Sequence, residues 1–208
     1  MDENVQDKDY YNEYDSFAFH PQNILLFLVL MGISALFLSL SAAFVYTRVQ
    51  NGLPPLRLPN IFILNTLILL ASSGTMVWAK RAYKADHTRH YQRALIATLA
   101  LSIVFMIAQS IGWYTLFTQA VFINSNNSAA YLYVISIVHF AHVIAGLPFL
   151  SIFIWRARKH MKEPVTVLVY FSDPEKQLKL RLLTIYWHFL DGLWIYLVLF
   201  FWINYLVQ

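Results

Sequence analysis

Hydrophobic positions run through this chain in long, nearly unbroken blocks, and the polar residues gather between the blocks. A helix that crosses the hydrocarbon core of a bilayer takes about 20 mainly apolar residues. Five blocks reach that length, over residues 22–46, 59–79, 94–122, 129–155 and 182–207. The pattern predicts an all-α polytopic membrane protein, a bundle of five transmembrane helices. Between the third and fourth blocks stands only Ile123-Asn124-Ser125-Asn126-Asn127-Ser128, a polar turn cluster short enough for a helical hairpin, so those spans are expected to be neighbours. The connection before the last block is longer and contains Pro164-Val165-Thr166-Val167-Leu168-Val169-Tyr170-Phe171. Too short to span and rich in strand formers, this segment reads as a small extramembrane hairpin or an interfacial segment. No repeat or linker divides the blocks, so one transmembrane domain is expected over 20–208, behind a tail of residues 1–19. The tail is acidic and aromatic where a signal peptide is basic and then apolar, and the first span is expected to act as the insertion signal.

Charge gives the bundle a direction. With five spans the loops alternate sides, and one side collects Lys8, Lys80, Arg81, Lys84, Arg89, Arg93, Arg156, Arg158, Lys159, Lys162, Lys176, Lys179 and Arg181. The other side holds only Arg48 and Arg57. Because basic loops stay in the cytoplasm, this asymmetry predicts a cytoplasmic N-terminus and an outside C-terminus. Composition agrees: 59% of residues are hydrophobic, 12% are charged, and residues 94–154 contain no Asp, Glu, Lys or Arg. No soluble domain leaves its surface so poorly charged. The net charge of +4 is accounted for by the loops, so no nucleic-acid partner is expected. The lack of cysteine excludes disulfides, iron–sulfur ligation and thiolate metal sites.

Polar residues inside the blocks are the candidates for function. Ala35, Ser39 and Ala43 recur every four residues, and Ala71-Ser72-Ser73-Gly74-Thr75 sits in mid-span; both read as places where helices pack closely. The fourth block carries His139 and His142, followed by Gly146 and Pro148. The fifth holds Tyr186-Trp187-His188-Phe189-Leu190-Asp191-Gly192-Leu193-Trp194, with His188 and Asp191 on one helical face. An aspartate at mid-bilayer depth costs roughly 2.5 to 3.5 kcal/mol, so Asp191 is expected to face protein and have a partner, with His188 the nearest.

Three readings follow from the residues. In one, His139, His142 and His188 are axial haem ligands of a membrane cytochrome; against it, histidines three apart lie at one depth instead of stacking two haems across the membrane. In another, His188 and Asp191 serve a small proton-coupled carrier, although a pathway needs a chain of polar groups and only one acid lies within any span. In the third, the default for a lone polar pair, these residues anchor the last helices to their neighbours and satisfy each other. A metal would have to draw on His139, His142, His188 and Asp191 from two helices. No P-loop, glycine-rich dinucleotide turn or nucleophile elbow is present, and nothing in the chain is suited to hold a nucleotide.

The segment from Tyr186 to Trp194 resembles the last-helix signature of subunit III of the haem-copper terminal oxidases, and His139-Phe140-Ala141-His142-Val143-Ile144-Ala145-Gly146 resembles the family's second hallmark, in the preceding helix. The two occur in the right order on adjacent spans, and the likeness extends more loosely over all five, including Gln109 and Gly112-Trp113. Members usually have seven helices, with shorter bacterial forms of five, and this chain is similar to the short form. Where many members carry an acid in the span matching the first one here, this chain has Gly32-Ile33-Ser34, so the resemblance does not extend to proton handling at that place. It implies a non-catalytic subunit of a respiratory oxidase in the bacterial cytoplasmic membrane, supporting assembly, stability and sustained proton uptake. It would hold no redox centre, catalytic residue or metal ligand of its own, with haem and copper in partner subunits I and II. Bound phospholipid and contact with another respiratory complex also fall within what the family implies. His139, His142, His188, Asp191, Trp187 and Trp194 would then make structural contacts between helices, with Trp202 adding to the aromatic filling.

Overall fold

The computed structural model describes residues 21–52, 58–161 and 164–207. The expected tail of residues 1–19 lies outside them. Among the described residues there are six helices and no strand: α1 (Pro21–Asn51), α2 (Ile61–Lys84), α3 (Thr88–Thr118), α4 (Asn127–His160), α5 (Pro164–Ser172) and α6 (Pro174–Leu206). All but α5 are long and apolar enough to cross a membrane.

The helices outrun the apolar blocks at their charged ends. α3 begins at Thr88, α4 continues to His160, and α6 begins at Pro174, eight residues before its block. A helix of 31 residues is about 46 Å long at 1.5 Å per residue, whereas the hydrocarbon core is about 30 Å thick. Hydropathy marks the membrane slab, and the helix carries on into water. The expectation overshot most at the end of the third block: α3 stops at Thr118, and residues 119–122 leave the helix. Ala120 takes a left-handed φ of 58°, while Val121 N–H bonds the Leu116 carbonyl and Ala120 N–H that of Phe117. This is a Schellman stop, made here without glycine. α2 ends in the same way, with Asp86 at φ 54° and bonds from Asp86 and His87 to Tyr83 and Ala82.

Other ends use side chains. Asn126 Oδ1 accepts from Ala129 N–H at 2.7 Å and caps α4, so the polar cluster starts that helix, after α3 has already stopped at Ala120. Asp173 caps α6, accepting from Glu175 N–H at 3.0 Å, with Pro174 in the first turn. The strand-like segment 164–171 is helical, as α5. Its C-terminal part docks on aromatic neighbours: Tyr83 Oη donates to the Tyr170 carbonyl at 3.1 Å, and the Phe171 ring lies 5.0 Å from that of Tyr83. Strand propensity is a weak preference that such docking overrides.

Sequence neighbours α2 and α3 pair extensively, and so do α3 and α4, as the short turn requires. α1 instead packs on α4 and α6. α6 therefore touches α1, α2 and α4. The interior forms two apolar clusters along the bundle. One is built on Phe37, Phe44, Phe62, Phe105, Leu132 and Trp194. The other is built on Met76, Tyr91, Leu95, Leu150, Leu183 and Trp187, and Tyr186 borders both. On α1 the buried positions are Ile33, Phe37, Ser41 and Phe44, a helical stripe. Ala35 and Ser39 face away from it and are exposed, so this small-residue stripe is not an internal packing seam.

Candidate functional site

The polar residues of the spans converge where α6 meets α2 and α4. Helical spacing brings Ser72 and Ser73 of α2 opposite the Tyr186–Asp191 segment of α6. Trp187 Nε1 donates to Ser72 Oγ at 3.1 Å, and a hydrogen bond of 2.7 Å joins Ser73 Oγ to His188 Nδ1. The Ser73 hydroxyl also faces the Asp191 carboxyl. Asp191 is buried at 4% exposure, and its Oδ2 has no hydrogen-bond partner among the described residues. His188 is thus taken up by serine and not by Asp191 as the spacing suggested, because the neighbouring helix supplies a hydroxyl nearer than the next turn of its own. Thr75 of the same α2 cluster bonds Thr98 Oγ1 of α3 at 2.8 Å.

Toward α4 the contact is close. Tyr186 Oη donates to the His142 carbonyl at 2.9 Å. A Cβ built on Gly146 would lie 2.9 Å from Tyr186 Cε1 and 3.1 Å from Trp187 Cζ3, so only glycine lets α4 and α6 approach this far. His142 itself donates from Nδ1 to the Val138 carbonyl, 2.7 Å away on its own helix. His139 is fully buried among rings, with centroids 5.0 Å from Trp194, 6.0 Å from Phe105 and 6.4 Å from Phe37. Neither of its ring nitrogens, nor Trp194 Nε1, has a hydrogen-bond partner among the described residues. Trp194 stacks on Phe62 at 5.7 Å and 11°. Trp202, expected to fill with the other tryptophans, is 54% exposed and lies outside the interior.

Two contacts were not foreseen. Asn65 Nδ2 donates to Gln109 Oε1 at 2.7 Å, both residues fully buried, and joins α2 to α3. The lone amide inside Ile61-Phe62-Ile63-Leu64-Asn65 was the available signal, since such a residue in lipid needs a partner on another helix. At the other end of α6, Arg48 Nη1 reaches the Asn204 carbonyl and Nη2 donates to the Val207 carbonyl at 2.8 Å. An arginine at the end of α1 thus satisfies open carbonyls at the end of α6.

Among the described residues no three His, Asp or Glu side chains converge as metal ligands, and the chain contains no cysteine. Each hydrogen bond of the arrangement runs between spans or back to the helix that carries it.

A sequence profile of the family described as "Cytochrome c oxidase subunit III" matches residues 24–205. A protein of Synechocystis named "Cytochrome c oxidase subunit 3" is 30% identical over 187 residues, covering 86% of this chain and 74% of the relative. Proteins of the same name from Dasypus novemcinctus and Tragelaphus oryx are 30% and 29% identical over 148 residues, 71% of this chain. The chain spans about half the length of these two, 50% and 51%.

Proposed function

Because the chain belongs to the cytochrome c oxidase subunit III family and is a multi-pass membrane protein, we propose that it is the non-catalytic subunit III of a respiratory haem-copper oxidase. In this role it flanks subunit I, where oxygen is reduced and protons are pumped, and lies near subunit II. It supports their assembly, their stability and continued proton uptake, in the cytoplasmic membrane of a bacterium. Haem and copper belong to the partners, and His139, His142, His188, Asp191, Trp187 and Trp194 are structural.

The observation that carries this reading is the use made of the family's two hallmark segments. Trp187, His188 and Tyr186 are spent on bonds to Ser72, Ser73 and the His142 carbonyl, and His139 is enclosed by aromatic rings. Polar groups tied into helix contacts are poorly placed to relay protons or to ligate a haem. The outer face of α1 carries the small residues Ala35 and Ser39, one to two turns beyond the exposed Met31. Small residues on such a face let a neighbouring subunit's helix approach closely.

The test is Asp191→Leu. The last span still inserts, because leucine is favourable in lipid, but the α2–α6 contact loses its acid and the host complex is expected to assemble less well. Native gel migration of the solubilised oxidase then shows a species lacking this chain. Migration identical to the wild type sets the reading aside.

A further inference from the structure

The turn between α2 and α3 sets two exposed histidines side by side: the ring centres of His87 and His90 lie 5.6 Å apart, with their planes at 77°. Two imidazoles that share one ion at about 2.0–2.1 Å per nitrogen have ring centres roughly 5 to 6 Å apart. The observed spacing falls in that range. Among the described residues both side chains make ring contacts and no hydrogen bond, so their nitrogens are free to bind.

The pair is also held in place. His87 N–H bonds the Ala82 carbonyl at 2.9 Å in the stop of α2, and the His87 carbonyl accepts from Tyr91 N–H at 2.9 Å in the first turn of α3. His90 lies in that turn, its ring 6.0 Å from the ring of Trp78 on α2. One histidine is fixed through its backbone and the other rests on an aromatic neighbour, so a ligand has little left to order.

The surroundings select the ligand. His90 stands four residues before the third apolar block, about 6 Å outside it along the helix, where dissolved ions reach it. Hard cations gain little from imidazole and meet the exposed Lys84 and Arg89, with Asp86 the one carboxylate of the turn. Ions of the late first transition series bond imidazole strongly enough to bind in such company. No third His, Asp or Glu converges on the pair among the described residues.

We propose that His87 and His90 together bind one divalent ion of the late first transition series, such as copper(II) or zinc, with water completing its coordination. The site is independent of any role in an oxidase, so the full-length chain alone serves for the assay.

The untagged chain is titrated with copper(II) and, separately, with zinc. At one equivalent of copper(II), the electron paramagnetic resonance spectrum is expected to carry nitrogen couplings from two imidazoles. Zinc binding measured by calorimetry should weaken at least about tenfold in His87→Gln and in His90→Gln alike, the loss that even an outer-shell partner causes. His160→Gln, which removes an exposed histidine of α4, should leave both readings as they are. Couplings from a single imidazole, or unchanged zinc binding in either variant of the pair, overturn the proposal. So do an equal loss in His160→Gln and a wild type that binds neither ion.

Discussion

At the scale of single residues, this bundle is held by a few polar contacts within an apolar interior. Two hydroxyls of α2 receive an indole and an imidazole of α6, and an amide of α2 meets an amide of α3. Gly146 is the residue on which the α4–α6 contact depends, since any side chain there meets the rings of Tyr186 and Trp187. Gly146→Val is therefore expected to cost about 1 to 3 kcal/mol, the range for overpacking a filled core. A lower midpoint in detergent thermal unfolding, with Gly146→Ala in between, is the result to look for; an unchanged midpoint contradicts the close approach. His139, His142, His188 and Asp191 were legible in the sequence, because an ionisable group in an apolar run stands out, whereas the amide of Asn65 gave a weaker form of the same signal. Their partners were not. His188 and Asp191 share a helical face, yet His188 bonds Ser73, because a residue 115 positions away in sequence comes nearer than the next turn. Spacing along one helix says nothing about what the facing helix offers.

At the scale of elements, hydropathy located all five long helices but not their ends. Asp173-Pro174-Glu175 carries a full start signal for α6, with a capping acid, a proline at the first turn and a glutamate beside it. It went unused because the apolar block begins eight residues later. The stops of α2 and α3 carry no such signal: Asp86 and Ala120 fill left-handed positions where glycine is the usual marker. Of the two readings of residues 164–171 the hairpin fails for a related reason, since residues that favour a strand dock through their aromatic end as the helix α5.

The start of α6 also has a pH dependence. The hydrogen bond from Lys176, then the backbone N–H groups of Glu175 and Lys176, hold the Asp173 carboxyl below its usual range, against a smaller upward effect of burial. A carboxyl depressed in the folded state contributes its stability above its unfolded pKa of about 4 and loses it as pH falls through the lower folded value. The protection of the first-turn amides of α6 against hydrogen exchange, relative to the unstructured chain at the same pH, is thus expected to fall below about pH 4 in the wild type. In Asp173→Ala that protection should be low at neutral pH already and show little acid dependence.

At the scale of the whole molecule, the five-span architecture was readable because lipid leaves the backbone no other way to satisfy its hydrogen bonds than a helix. Which helix faces which was not, beyond the α3–α4 hairpin dictated by its short turn. α1 bypasses its sequence neighbour α2 for α4 and α6, a choice that no local pattern records. The loop charges predict that the α4–α5 end faces the cytoplasm and the α3–α4 turn the outside. The chain's lack of cysteine makes this direct to check with one introduced thiol at a time. A membrane-impermeant maleimide should label Gln119→Cys in intact cells, and Lys159→Cys only after permeabilisation. The opposite pattern inverts the topology.

The position of α6 has a further consequence for biogenesis. This helix leaves the ribosome after the other four spans, yet it supplies the groups that complete Ser72 and Ser73 on α2, the His142 carbonyl on α4 and Arg48 on α1. A nascent chain stalled before Pro174 would hold four inserted spans with those groups still facing lipid. Such an intermediate is a natural target for membrane proteases, and completion of these contacts waits on the arrival of α6.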